Sequence, residues 1–337
     1  MKFLVIGLGS MGKRRVRNLI ALQEKNIAGF DISIERTKET YEKYNIETFN
    51  NFKEAINIYK PDVFIISTPP NLHMNYAYYA YEHNIHCFIE ASVVDSQKII
   101  ELDKIIKNTN LIIVPSCTMK YFPAPKKLKE LVESKVVGES LNLNYQSGQY
   151  LPDWHPWEKI KDFYVSDPDT GGCREIVPFE LTWLNSLFGD AKPLACVRKK
   201  LTDINADIDD IYHCIIEYNN KLIMNLTVEV VSRPEAVRDF RLLGSEGEIV
   251  YSSDTNILKY INTSMKEWKE ISFEEGTIES HYINPEEPYI NEIQDFIKAI
   301  KNNDISLFPN SLMDDYKVLN NLYDLEELSD SNTILQK

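Results

Sequence analysis

What this chain lacks narrows its class before anything it contains. The opening Met1-Lys2-Phe3-Leu4-Val5-Ile6-Gly7 is apolar but stops at a glycine. That is too short for the core of a secretion signal and far short of the ~20 residues a membrane helix needs, so no membrane partner is expected. Its five cysteines (Cys87, Cys117, Cys173, Cys196 and Cys214) are scattered and form no C-x-x-C pair. An odd, unpaired set reads as reduced thiols of a cytoplasmic protein, buried as small hydrophobes, and makes the Asn-x-Thr/Ser triplets at Asn225 and Asn262 chance matches. No His/Cys cluster has zinc spacing, so no metal is expected, and no nucleophile elbow occurs. Positive charge is also short: 37 Lys and Arg face 51 Asp and Glu, for a net charge of −14. Such a surface repels a phosphate backbone, which argues against a nucleic-acid partner. There is no internal repeat and no low-complexity linker.

What is present is enough for two cores. The chain has 337 residues, 43% of them hydrophobic and 26% charged, a soluble globular composition with length for two domains. Up to about residue 120, short apolar runs (3–6, 27–31, 62–67, 86–90 and 111–114) alternate with helical periodicity at 11–22, 34–44, 71–83 and 96–107. That rhythm predicts an α/β domain over 1–120 with a doubly wound parallel sheet. Beyond it, a helix at 123–134 and another at 174–187 accompany strand-like runs at 141–150, 210–218, 222–231, 237–244 and 248–251. Asn219-Asn220 reads as a tight hairpin turn. The second domain, 121–337, is thus expected to be α+β with a large, mainly antiparallel open sheet. Such a face commonly covers a ligand crevice or supplies an oligomer contact, so a homo-oligomer is expected. Closing helices at 289–301 and 312–328 are candidates to pack back on the first domain.

The first strand runs into Gly7-Leu8-Gly9-Ser10-Met11-Gly12, a helix follows, and Asp31 closes the next strand. This is the full context of a dinucleotide-binding fingerprint, with its carboxylate about 20 residues on. Gly7 permits the tight turn, Gly9 lets the backbone approach a pyrophosphate, and Gly12 lets the helix pack on the sheet. The phosphates would sit on the helix N-terminus at Ser10 and Met11, where unpaired N–H groups face outward. Asp31 can accept hydrogen bonds from ribose hydroxyls and would repel a 2′-phosphate, which selects NAD over NADP. Arg36 is near enough in sequence to soften that preference. The basic run Lys13-Arg14-Arg15-Val16-Arg17 opens the helix, so its side chains fan around the axis; a mostly solvated face is expected.

Together with Ser67-Thr68-Pro69-Pro70-Asn71-Leu72-His73 and Phe88-Ile89-Glu90, this order of motifs resembles the glucose–fructose oxidoreductase and inositol dehydrogenase (Gfo/Idh/MocA) family. Met119-Lys120-Tyr121-Phe122-Pro123-Ala124 resembles the segment entering that family's second domain. Gln149-Tyr150-Leu151-Pro152-Asp153-Trp154-His155-Pro156-Trp157 is similar to a branch found among bacterial surface-sugar biosynthesis proteins. The resemblance implies that Ser67, Thr68, Pro69, Asn71 and His73 line the nicotinamide side and that Glu90 sits beside the nicotinamide ribose.

The chain also departs from that family. Its members usually follow the glutamate with lysine and proline, the lysine helping to polarise or deprotonate the reacting hydroxyl; here the residues are Glu90-Ala91-Ser92. The family's second signature sets an aspartate and, four residues later, a histidine on one helix face after a Gly-Gly pair. Counting from Gly171-Gly172 puts Ile176 and Glu180 there, and a one-residue slip puts Glu175 and Phe179. Neither register supplies the histidine. Candidates to carry proton transfer instead are Glu175, Glu180, Lys120 and His155. Three functions are compatible with this pattern. The leading one is an NAD-dependent oxidoreductase acting on a sugar or nucleotide-activated sugar. Another is an NAD-using lyase, epimerase or hydrolase that returns its hydride, and a third is a non-catalytic NAD-binding partner or sensor.

Overall fold

A computed structural model describes residues 1–154, 159–162, 164–280 and 282–334. The chain divides into two compact units, Met1–Tyr121 with Gly276–Lys317, and Phe122–Glu275 with Val318–Lys337. The long stretch after residue 120 is therefore not one domain: Gly276–Lys317 returns to the first unit.

In the first unit, β1 (Phe3–Ile6), β2 (Ile27–Phe30), β3 (Glu47–Phe49), β4 (Val63–Ile66), β5 (His86–Ile89) and β6 (Ile113–Pro115) alternate with helices α1 (Ser10–Ala21), α2 (Ile34–Tyr44), α3 (Phe52–Tyr59), α4 (His73–Glu82) and α5 (Ser96–Ile106). Among the described residues the six strands form one parallel sheet in the order β3-β2-β1-β4-β5-β6. Every residue of β1 and β4 is buried, as expected where helices cover both faces of a parallel sheet. Each such Ile, Leu or Phe contributes about 1.5–3 kcal/mol by leaving water. The alternation over residues 1–120 predicts this sheet, but not β3 and α3. β3 is only three residues long and two of them, Glu47 and Thr48, are polar, so its periodicity is too brief to see. Local capping settles that region: the Ser33 side chain accepts from Arg36 N at the start of α2, and the Asn51 side chain accepts from Glu54 N at the start of α3.

The second unit carries α6 (Pro123–Glu133), β7 (Ser140–Gly148), α7 (Cys173–Phe188), β8 (Ala191–Lys199), β9 (Ile211–Tyr218), β10 (Leu222–Glu229), β11 (Val237–Gly244), β12 (Gly247–Ser252), β13 (Ile257–Asn262) and β14 (Lys269–Ser272). Among the described residues these strands make one eight-stranded sheet, ordered β14-β13-β12-β11-β7-β10-β9-β8. Only β7 and β10 run parallel; the other pairs are antiparallel, so the sheet is mainly antiparallel as the pattern predicts. Burial alternates along β9 and β10, and α7 packs against both. The hairpin between them differs from the expected two-residue turn. Asn219 and Asn220 do adopt φ of 51° and 54°, but Leu222 pairs with Tyr218, which leaves Lys221 in the loop as well.

After β14 come α8 (Glu287–Asn302) and α9 (Leu312–Ile334). The acidic side chains of α8 explain why it belongs to the first unit: Glu292 receives hydrogen bonds from Ser116, Cys117 and Thr118, which follow β6. All five cysteines are buried. Among the described residues no helix is long and apolar enough to cross a membrane.

Candidate active site

The glycine loop is built as its spacing predicts. Gly7 has φ +88°, a conformation that L side chains rarely adopt, and a Cβ there would lie 2.6 Å from Ser67 O. At Gly12 a Cβ would lie 1.8 Å from Gly7 O, so only glycine lets α1 come this close to the turn. Gly9 is the contrast. The nearest atom to a Cβ there is an Arg36 Nη1 at 3.9 Å, so the backbone borders open space. Gly9 is also the N-cap of α1, with no side-chain cap and no acidic residue in the first turn. Ser10 and Met11 therefore begin a helix whose first N–H groups remain for an anion.

Asp31 follows β2 and is 5% exposed. Its Oδ2 accepts from Leu8 N at 2.7 Å and its Oδ1 from Ser33 N at 2.8 Å. Both bonds point the carboxylate along the glycine loop and leave each oxygen a further acceptor position. Arg36 Nη1 stands 3.9 Å from Asp31 Oδ2, with its side chain 44% exposed. These residues fit an adenosine ribose and a pyrophosphate.

The second half of the sheet supplies Ser67, Thr68, Pro69 and Asn71 after β4, and Glu90 after β5. Pro69 and Asn71 are exposed. His73 is not: it is 2% exposed, and its Nε2 lies 2.8 Å from Thr68 O. Burial lowers its pKa, so the imidazole is a neutral brace for the Thr68 backbone. Glu90 accepts from Ser67 Oγ at 3.2 Å and from two nitrogens of Arg15.

Arg15 belongs to the basic run, and the expectation of a solvated face there is overturned. Arg14 and Arg15 are 3% and 0% exposed. Arg14 and Arg17 both pair with Glu286, and Arg15 pairs with Glu90 and Glu292. Fanning around the axis is what carries these side chains inward, and carboxylates remote in sequence meet them there. Nothing in the local pattern announces those partners.

Lys120 donates to Pro309 O at 2.8 Å and to Asn310 Oδ1 at 3.0 Å, tying the end of β6 to the segment before α9. Close by in sequence, Asp315 is 3% exposed, its Oδ2 has no partner, and burial raises its carboxyl to about 7. Residue patterning gave no signal for this group.

In the second unit the two candidate glutamates of α7 differ sharply. Glu180 is fully buried and accepts from Tyr145 Oη (2.5 Å), Ser147 Oγ (2.9 Å), Trp183 Nε1 (2.9 Å) and the Arg238 guanidinium (3.0 Å). Those donors fill its acceptor capacity. Glu175 sits in the first turn of α7, three residues after the glycine pair, and Gly171 shapes its surroundings. A Cβ at Gly171 would lie 2.0 Å from Val165 O, so glycine lets the preceding loop approach the helix. That approach brings Tyr164, whose hydroxyl donates to Glu175 Oε1 at 2.8 Å. Glu175 Oε2 is shut from solvent and has no partner. Desolvation raises this carboxyl to about 7 against the opposing bond from Tyr164. His155 lies outside the described residues, as does Trp157.

A family model described as "Oxidoreductase family, NAD-binding Rossmann fold" matches residues 1–115, and one described as "GFO/IDH/MocA C-terminal domain" matches 126–250. No curated protein sequence matches the chain. Among solved structures, levoglucosan dehydrogenase in complex with NADH and levoglucosan is similar at a TM-score of 0.83 and 18% identity, over 98% of this chain and 97% of that one. An oxidoreductase from Agrobacterium radiobacter in complex with NAD+, L-tartaric acid and magnesium is similar at 0.85 and 14%, over 98% and 97%. UDP-N-acetylglucosamine 3-dehydrogenase GnnA from Acidithiobacillus ferrooxidans is similar at 0.76 and 18%, over 98% of each chain. At these identities the likeness is one of fold. With both family models matched in order, the chain belongs to the Gfo/Idh/MocA family of NAD-binding oxidoreductases.

Proposed function

We propose that this protein is an NAD-dependent dehydrogenase of a sugar or nucleotide-activated sugar, and that Glu175 handles the hydroxyl proton. One observation carries the reading: a carboxyl held near neutral titration by desolvation, with one oxygen on Tyr164 and the other buried and unpartnered. A general base works best when its pKa lies near the working pH. Glu180 is the poorer candidate, since its oxygens are committed to four side chains. Lys120 is likewise engaged as a tie between backbone segments.

The residues that hold NAD would bring a hydride acceptor for oxidation of a sugar carbinol. The Glu175 carboxyl would take up a hydroxyl proton, and the Tyr164 hydroxyl would steady it through Oε1. Asp31 receives the adenosine ribose hydroxyls, Gly9, Ser10 and Met11 receive the pyrophosphate, and Ser67, Thr68, Pro69, Asn71 and Glu90 border the nicotinamide half. The sugar class is supported by the relatives whose names carry sugars, levoglucosan dehydrogenase and the UDP-N-acetylglucosamine 3-dehydrogenase. Five buried cysteines outside any disulfide favour a cytoplasmic setting.

The test is a screen of free and nucleotide-activated sugars that follows NADH absorbance together with product mass. Glu175→Gln should abolish turnover and leave NADH affinity unchanged. Ala91→Lys should bring no gain. Full turnover by Glu175→Gln would overturn the assignment, and product formed without net NADH would replace oxidation by an internal-return reaction.

A further inference from the structure

Among the described residues of the first unit, Arg15 is the most heavily buried cation. Arg15 on α1 is fully buried. Its Nε donates to Glu90 Oε1 at 2.6 Å and its Nη2 to Glu90 Oε2 at 2.9 Å, a two-pronged pairing. The same Nη2 lies 2.9 Å from Glu292 Oε2. The guanidinium stands 4.6 Å from the ring centroid of Phe88, one strand position before Ile89. Burial opposes its charge, but Glu90 and Glu292 outweigh that and hold its pKa above the ordinary value.

The partners of Arg15 reach three strand ends. Glu90 follows β5 and takes Ser67 Oγ, which follows β4. Glu292 takes Ser116 Oγ, Cys117 N and Thr118 Oγ1, which follow β6. In an open parallel sheet of this order, the dinucleotide lies across the carboxyl ends of the strands, one mononucleotide on each half. The ends of β4, β5 and β6 are the second half. One guanidinium thus ties the helix that opens at the phosphate loop to all three of them. Counting acceptors, Arg15 and Ser67 fill Glu90 Oε1 and Arg15 takes one position on Oε2, so a single position on Oε2 remains. The Glu90 side chain keeps 13% exposure, through which that position can be reached.

We propose that Arg15 is a positioning residue for the nicotinamide ribose: it fixes the Glu90 carboxylate in one rotamer, with one acceptor position presented to a ribose hydroxyl. This rests on the reading that Glu90 borders that ribose. A lysine cannot reproduce the fork, because a single ammonium cannot bond both oxygens of Glu90 in their plane while also reaching Glu292.

The experiment measures Kd for NADH and for ADP, which lacks the nicotinamide riboside, with the full chain. Arg15→Lys should weaken NADH at least tenfold and leave ADP within twofold. A double-mutant cycle with Glu90→Gln should be non-additive, the double variant binding NADH no more weakly than Glu90→Gln alone. If Arg15→Lys does not fold, Arg15→Gln with Glu292→Gln removes one charge of each sign and carries the same measurement. Unchanged NADH affinity in Glu90→Gln would remove the reading that Glu90 meets the ribose. Weakened NADH in Glu90→Gln with wild-type affinity in Arg15→Lys would overturn this proposal alone. Parallel loss of ADP and NADH, or failure of both Arg15 variants to fold, would make Arg15 a core residue only.

Discussion

The Glu180 carboxylate and the Arg238 guanidinium pair at 3.0 Å with the Glu180 side chain wholly out of solvent. Burial opposes the charge of Arg238, and Glu180 is the leading influence that keeps it. Tyr145 is held strongly protonated, first by its own burial and then by the Glu180 charge. Its hydroxyl therefore remains a donor to Glu180. Removing one charge of a buried pair strands the other. Glu180→Gln should lower the stability of the protein by about 3 kcal/mol in urea denaturation. Its NADH affinity should match the wild type. A stability loss under about 0.5 kcal/mol, the range of ordinary surface changes, would show the pair to be dispensable.

Asp315 makes stability depend on pH in a predictable direction. Its carboxyl is raised from 3.8 to about 7 by burial. Between those values the native protein holds a proton that the unfolded chain has released, so this group's contribution to stability falls as pH rises from about 4 to 7 and is constant above. Asp315→Asn has no such dependence. Its stability advantage over the wild type should grow across that window, by on the order of 4 kcal/mol, and level off above pH 7. Parallel stability curves for the two proteins would contradict this.

Cofactor choice follows from Asp31. With both carboxylate oxygens aimed by Leu8 N and Ser33 N, a 2′-phosphate would meet a fixed negative charge. The half-exposed Arg36, at 3.9 Å, is too solvated to offset it. NAD(H) should bind more than tenfold tighter than NADP(H), a difference of about 1.4 kcal/mol or more. Asp31→Asn should narrow that gap in calorimetric titration. Equal affinities in the wild type would count decisively against the assignment.

The eight-stranded sheet leaves Leu194, Val197 and Ile215 with 40%, 48% and 42% exposure on β8 and β9. In the register of these strands Val197 faces His213 and Ala195 faces Ile215, so the apolar side chains fall in one neighbourhood. We expect a homo-oligomer that covers this face. Light scattering at micromolar concentration should give a multiple of the chain mass, and Ile215→Asp should shift it toward one chain. A wild type of single-chain mass would refute the expectation.

The cofactor loop was legible because its constraints are local. Gly12 answers a steric requirement set by the Gly7 carbonyl five residues away, Gly7 one set by its own φ and the Ser67 carbonyl, and Gly9 leaves the backbone bordering open space. Asp31 lies at the end of the adjoining strand. Apolar runs covered on both faces likewise marked β1 and β4. The basic run misled because a helix periodicity gives the angle of a side chain, not what waits there. Glu292 and the strand-end residue Ser116 are separated by 176 residues. No pattern within a window of ten or twenty could pair them.

By itself, then, the sequence determined the parallel sheet, the later antiparallel one and the dinucleotide loop. Periodicity and short-range sterics act within a turn or a strand, and they are written into neighbouring residues. Only the tertiary structure decided which carboxyl could titrate near neutrality. Glu175 and Glu180 lie five residues apart on one helix and read alike in sequence. Four donors reach Glu180, whereas Glu175 meets a single tyrosine and keeps one buried oxygen bare. Desolvation and hydrogen bonding depend on every chain segment that arrives in space, and apart from Trp183 on the same helix the partners of these two glutamates come from other segments.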